Sequence, residues 1–299
     1  MAALTLVAAG GLALDDRVLV GAPIWAKPFK FSISFVAYGL TLAWMLSLLP
    51  TARARRVGWW AGTVLTVAST VEMVLITMQV IRGEQSHFNN ATPFDTAVFQ
   101  VMGATVVILW LAALLIAVLL LRARFLDRAT AWAVRLSSLI ALAGAAVGFA
   151  MVRPTPEQLA QDDPATQGAH SVGVPDGGPG LPVLGWSTTG GDLRIAHFFG
   201  MHALQLVPLL LLVLAALAPR YARLADDRVR LRLILVSSAA YAATFLLVAW
   251  QALRGQALLS PDALTLAAAA AITTLTVTAT ALALRTPTST PSTSRELAA

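Results

Sequence analysis

The chain reads as an all-α polytopic membrane protein: a transmembrane helix bundle of seven firm spans, with a short N-terminal hydrophobic helix as a candidate eighth. Three observations predict this class. Of the 299 residues, 58% are hydrophobic and only 12% charged, about half the charged share of a soluble globular chain. Mean hydropathy is +0.75. Apolar blocks of about 20 residues, each long enough to cross a bilayer core, recur along the sequence with arginine clusters between them.

Taken in order, residues 2–14 are apolar but short, covering about 20 Å as a helix, and Asp15-Asp16-Arg17 follows. No basic stretch precedes them, as a signal peptide requires, so the segment is a truncated first span or a half-inserted helix. Lys27-Pro28-Phe29-Lys30 introduces the first firm span, residues 31–49, with Pro28 suited to a first helical turn. The others are residues 58–81, 94–121, 130–152, 195–218, 233–253 and 262–284. The last is rich in threonine (Thr273, Thr274, Thr276, Thr278, Thr280), which predicts close helix contact rather than lipid exposure. Residues 1–285 thus make a single transmembrane bundle, and the Thr/Ser/Pro-rich residues 286–299 are expected to be a disordered cytoplasmic tail.

Charge orients the bundle. Residues 51–57, 122–128 and 219–232 hold arginine clusters, and Arg285 adds to the same side. The positive-inside rule makes those loops and the C-terminus cytoplasmic. Residues 82–93, 153–192 and 254–261 then face outward. The formal charge of +6 is explained by these clusters, so the implied partner is the lipid bilayer and not nucleic acid. With no cysteine, disulfides, thiolate catalysis and Cys-ligated metals are excluded.

Polar residues collect on the outward side. Lys27 and Lys30 begin the first span, Arg82 and His87 follow the second, Asp95 opens the third, and Arg194, His197 and His202 enter the fifth. Ionisable groups at membrane depth are costly and face a bundle interior or a water-filled cavity. Thr66, Ser69, Glu72, Gln79 and Arg82 fall on one helical face. Glu72 lies about 15 Å below Arg82, near the bilayer midplane. It is either held by hydrogen bonds to a neighbouring helix or acts as a proton-relay or ligand-coordinating carboxylate. Lys27, Lys30, Arg82 and Arg194 form a basic ring that either snorkels to head groups or attracts a small anionic or lipid-like ligand.

On the fifth span Arg194 and His197 share one face, and His202 with Gln205 another. His197 and His202 are about 140° apart around the helix, so each needs a partner from elsewhere: Glu72, His87 or Asp95. The geometry favours His202 paired across the bundle with Glu72. Any metal would draw on His202, His197, Glu72 and His87, and haem b or a divalent metal is the candidate cofactor. Asp192 is the expected N-cap of the fifth helix, and Pro208 is expected to kink it. The forty-residue loop 153–192 is a candidate lid; its first half has a flexible composition, and His170 within it carries no expected role.

The runs Lys27-Pro-Phe-Lys-Phe31, Arg82-Gly-Glu-Gln-Ser-His-Phe-Asn89, Gly185-Trp-Ser-Thr-Thr-Gly-Gly-Asp-Leu-Arg194 and His197-Phe-Phe-Gly-Met-His202-Ala-Leu-Gln205 resemble a group of uncharacterised multi-pass membrane proteins of high-GC bacteria. That resemblance implies a bacterial plasma-membrane address and no particular activity. Ser86, His87 and Asp95 loosely echo the early motif of seven-span zinc hydrolases of the alkaline ceramidase and adiponectin-receptor type. The last span has no histidine, which argues against that assignment.

Three functions remain open. One is a membrane enzyme, redox or hydrolytic, with an outward polar pocket. Another is a proton-coupled transporter of a small anionic or lipid-like substrate, against which stands the lack of a polar path in the cytoplasmic halves. The third is a small-molecule sensor or structural membrane protein. No motif with a known mechanism decides whether the chain is an enzyme.

Overall fold

A computed structural model describes residues 1–285; the tail called at 286–299 lies outside the described residues. Ten helices and four two-residue strands follow in order among them. The short helix α1 is Ala2–Leu14, followed by the strands β1 (Val18–Leu19) and β2 (Ala22–Pro23). Then come α2 (Ala26–Ser47), α3 (Ala52–Arg82), α4 (Pro93–Arg122) and α5 (Arg128–Met151). The long loop carries α6 (Pro156–Leu159) and β3 (Ser171–Val172), and ends in β4 (Gly191–Asp192). The chain closes with α7 (Leu193–Leu217), α8 (Ala222–Ala225), α9 (Asp227–Leu253) and α10 (Ala263–Arg285).

Seven of these helices are long and apolar enough to cross a membrane, and α1 is the short apolar extra. Each predicted span lies within a few residues of an observed helix. Leu6, Val7 and Leu14 of α1 point away from the protein, while Gly11 lets the Trp25 indole lie directly on the helix. The Trp25 Nε1 donates to Asp15 at 2.8 Å, which fixes the turn from α1 into α2. Local chemistry sets the other boundaries. Thr51, Thr92, Asp127 and Asp192 accept hydrogen bonds at the starts of α3, α4, α5 and α7, as N-caps do. Gly83, with φ +79°, closes α3 in the left-handed conformation.

The core centres on α5 against α7. A Cβ on Gly144 would sit 2.5 Å from the Gly200 carbonyl carbon and the Met201 nitrogen, so the two backbones touch. Gly144-Ala-Ala-Val-Gly148 is a G-x-x-x-G stretch, the small-residue pattern that lets membrane helices approach closely. Helix α9 packs behind this pair, α3 pairs with α4, and α2 joins the two groups.

Two expectations are corrected. Helix α10 packs against α9, but its threonine-rich face is not what it buries: only Thr265 and Ala283 are buried. Thr273 and Thr276 donate to the carbonyls of Ala269 and Ile272 one turn back, at 2.9 and 2.7 Å, so their hydroxyls are satisfied without a neighbouring helix. Thr66 likewise faces outward and donates to the Gly62 carbonyl at 2.8 Å, leaving the buried stripe of α3 to Ser69, Glu72 and Gln79. Helix α7 continues through Pro208 as a single element.

Gly144→Ala is expected to lower the thermal unfolding midpoint in detergent, at a cost of about 1–3 kcal/mol for overpacking. Gly103→Ala, where an added Cβ meets no atom within 4 Å, is expected to leave the midpoint unchanged or raised.

Candidate functional site

The residues that carry chemistry gather at the end of the bundle holding the long loop. Lys27 comes from the first turn of α2, Ser86 and His87 from the turn between α3 and α4, His170 from the loop, and His197 from α7. Lys27 Nζ donates to Ser86 Oγ at 2.7 Å and meets His87 Nδ1 at 3.0 Å; Ser86 Oγ lies 3.2 Å from the same nitrogen. These three groups form one hydrogen-bonded triangle. The next residue, Phe88, has φ +63°, a left-handed backbone that costs a bulky side chain of this kind roughly 1–2 kcal/mol. Such strain clusters at functional turns.

The histidines are fixed by their Nδ1 atoms. His197 Nδ1 donates to the Gly144 carbonyl at 2.9 Å, and His170 Nδ1 donates to Asp176 at 3.0 Å. Both assignments leave Nε2 with its lone pair. His87 accepts from Lys27 at Nδ1 and therefore carries its proton on Nε2. Among the described residues no protein group hydrogen-bonds to these three Nε2 atoms. Burial, then the Lys27 cation, His170 and His197 hold His87 well below the usual imidazole range. Burial also depresses His170, against the pull of Asp176 in the other direction, while His170 and its neighbours hold the Asp176 carboxyl well below the usual range despite burial. His87 and His170 are thus neutral at neutral pH.

The remaining sequence candidates divide into two groups. Gln79, Arg82 and Asp95 satisfy one another. Asp95, 1% exposed, accepts from Arg82 at 2.6 Å, from Gln79 Nε2 at 2.9 Å and from Thr92 at 2.6 Å. Arg82 also donates to Gln79 and lies over the Phe94 ring at 4.6 Å. That cluster ties the end of α3 to the start of α4. Arg194 forms a forked pair with Asp192, which is 1% exposed, and donates to the Gly185 carbonyl at 2.6 Å. Lys30 donates to the Leu184 carbonyl at 3.1 Å. These two cations therefore hold the long loop rather than a free ring.

Glu72 and His202 take partners other than each other. Glu72, 3% exposed, accepts from Thr105 of α4 and faces the charge of Lys27. His202 Nδ1 meets Gln205 Oε1 of its own helix at 3.3 Å. The predicted Glu72–His202 pair does not form: the carboxylate is met by Thr105 of the adjacent helix, and the imidazole turns to Gln205 on its own helix. No three of the His, Asp and Glu side chains come together to hold a metal among the described residues. Grooves of about 500 and 430 Å³ lie at α1/α3 and at α3/α4, and neither is lined by a histidine.

The loop itself is ordered. It pairs β3 with β4, and bridges Asn89 to Thr166 and Gly180 to Ser187. Asp176 gathers the backbone N–H groups of His170 and Ser171 at 2.9 and 2.8 Å. A Cβ on Gly191 would fall 2.0 Å from the Ala252 carbonyl oxygen, so the loop's last strand sits directly on the end of α9. Sequence reasoning gave His170 no role and did not single out Asp176. Their spacing across a Gly- and Pro-bearing turn is the only local signal, and it says nothing of His87, 83 residues earlier.

Comparison with known protein families, curated proteins and solved structures finds no match for the chain.

Stability is expected to fall on acidification. His87 and His170 have folded pKa values below the unfolded value of about 6.5, so their contribution is present above that pH and is lost as the unfolded chain takes up protons below it. Asp176 acts in the same direction at lower pH. The thermal midpoint in detergent should drop between pH 7 and pH 5, with a smaller slope in His87→Gln; a flat profile would contradict the neutral, buried assignment.

Proposed function

We propose that this integral membrane protein is a hydrolytic enzyme of the bacterial plasma membrane that acts on a small lipid-like substrate at its outward-facing end. The observation that carries the reading is the Lys27–Ser86–His87 triangle. A hydroxyl, an amine and a neutral imidazole in mutual contact are the parts of a general acid–base site. The loop 153–192, tied to α2 by Lys30 and to α7 by Arg194, serves as a lid that keeps water from this end. The arginine clusters at the opposite end support a cytoplasmic placement of that end and of the C-terminus. The resemblance to membrane proteins of high-GC bacteria supports the address.

A second reading has its own support. His170 and His197 both present Nε2 lone pairs with Nδ1 anchored to a carboxylate or a carbonyl, the arrangement seen in imidazoles that bind haem or metal. Under that reading His170 and His197 would hold the group through Nε2, and it would supply redox chemistry there. Transport of an anion has weaker support, since Arg82 and Arg194 are already committed to Asp95 and Asp192.

Purified protein is expected to be colourless and to hydrolyse p-nitrophenyl esters above the background of Ser86→Ala. A Soret band abolished by His197→Ala, with no hydrolysis, would replace the hydrolytic reading with the haem one. For orientation, a cysteine at the exposed Asp163 in this cysteine-free chain should react with an impermeant maleimide in intact cells; reaction only after permeabilisation would reverse the topology.

A further inference from the structure

We propose that Ser86 is the nucleophile of an acyl-transfer site with Lys27 as its base, and that the substrate is a carboxylic ester bearing an apolar chain. The inference deepens the hydrolytic reading and rests on it. Ser86 is 6% exposed and 2.7 Å from Lys27 Nζ, within the range needed for direct proton transfer. Its position is rigid. Asn89 donates to the Gln85 carbonyl at 3.2 Å and accepts from the Ala91 N–H at 3.0 Å, and the left-handed Phe88 is locked by its ring against His170 at 4.9 Å. Lys27 is fixed by the first turn of α2 and by the Phe31 ring at 5.8 Å.

His87 is the positioning residue. Held neutral chiefly by burial, it accepts one N–H of Lys27 at Nδ1. In the neutral amine this directs the single lone pair toward Ser86. Lys27 then takes the Ser86 Oγ proton as Oγ bonds to the substrate carbonyl carbon and the carbonyl electron pair moves onto oxygen. Collapse of that adduct breaks the bond to the leaving alkoxide, which takes the proton back from the Lys27 ammonium. Water, losing a proton to Lys27, attacks the acyl-Ser86; the acid departs and Ser86 regains its proton. Atoms and charge balance without a cofactor.

The chemistry of the surroundings selects the ester. Phe31 packs edge-on against Phe198 at 6.1 Å, and Phe88 against Phe99 at 5.8 Å, so aromatic rings flank the triangle on two sides. An apolar acyl chain suits these walls, whereas a peptide's exposed amides would lose hydrogen bonds to water there.

The test treats the full-length protein in detergent with an alkyl fluorophosphonate probe. Labelling is expected on Ser86 by peptide mass, rising with pH as Lys27 loses its proton. It should disappear in Ser86→Ala, fall 100-fold or more in Lys27→Met, and stay unchanged in Thr273→Ala on the outer face of α10. Because the chain has no cysteine, Ser86→Cys supplies a single thiol. Its alkylation by iodoacetamide at pH 7 should be at least tenfold faster with Lys27 present than with Lys27→Met, since a neighbouring cation favours thiolate. Wild type that stays unlabelled from pH 6 to pH 10, labelling that survives in Ser86→Ala, or equal thiol reactivity with and without Lys27 would each overturn the assignment. Hydrolysis of p-nitrophenyl octanoate that persists in Ser86→Ala would overturn Ser86 alone and leave the hydrolytic reading intact; its absence from wild type would overturn both.

Discussion

Backbone contact between α5 and α7 at Gly144 and Gly200 is the constraint on which the rest depends. In a bilayer there is no hydrophobic driving force between apolar helices, so close approach and shared hydrogen bonds must hold them together. Here the two act at the same place. The crossing brings the Gly144 carbonyl to His197 Nδ1, and Gly148 lies against the same imidazole ring. A side chain at Gly144 or Gly200 would push α7 outward and carry His197, Asp192 and the end of the long loop with it.

The site end shows how buried charge is managed in such a bundle. Asp95 meets Arg82 and Asp192 meets Arg194 as ion pairs, while the half-buried Asp176 accepts a hydrogen bond from the neutral His170. Each acid also accepts backbone or side-chain hydrogen bonds that occupy its remaining lone pairs, without which a buried ion pair does not offset its desolvation. Pairing two of these acids with arginines and the third with a neutral imidazole makes all three carboxylates structural ties. What stays available is the smaller set around Lys27: the Ser86 hydroxyl and the Nε2 atoms of three imidazoles.

Much of the fold was legible in the sequence, because span length and composition are one-dimensional signals. The seven long helices, the short α1, the cap at Asp192 and Pro28 in the first turn of α2 follow from hydropathy and turn chemistry. Helix packing was less legible. Threonines on α10 suggested contact, yet a threonine can satisfy its own hydroxyl within the helix, and sequence does not say which choice is made. The site was half visible. Lys27, Glu72, His87 and His197 stood out as ionisable groups entering apolar blocks. The choice of partners did not, since Thr105 reaching Glu72 or His170 reaching the neighbourhood of His87 depends on helix rotation and on a loop whose composition looked flexible. Gly, Pro and Asp in that loop serve tight turns and an Asp176 clamp and not slack chain.

The loop's ties have a consequence for traffic. It is fastened to α2 through Lys30, to the α3–α4 turn through Asn89 and Asn90, to α5 through Met151, and to α9 under Gly191. Lifting it would break all of these together, so entry from above would be infrequent. Side chains on the lipid-facing flanks of the helices move on far shorter timescales than such a concerted opening. A compound dissolved in the bilayer is already concentrated beside those flanks. For this architecture, solubility in lipid would then govern the rate of encounter more than concentration in the surrounding water.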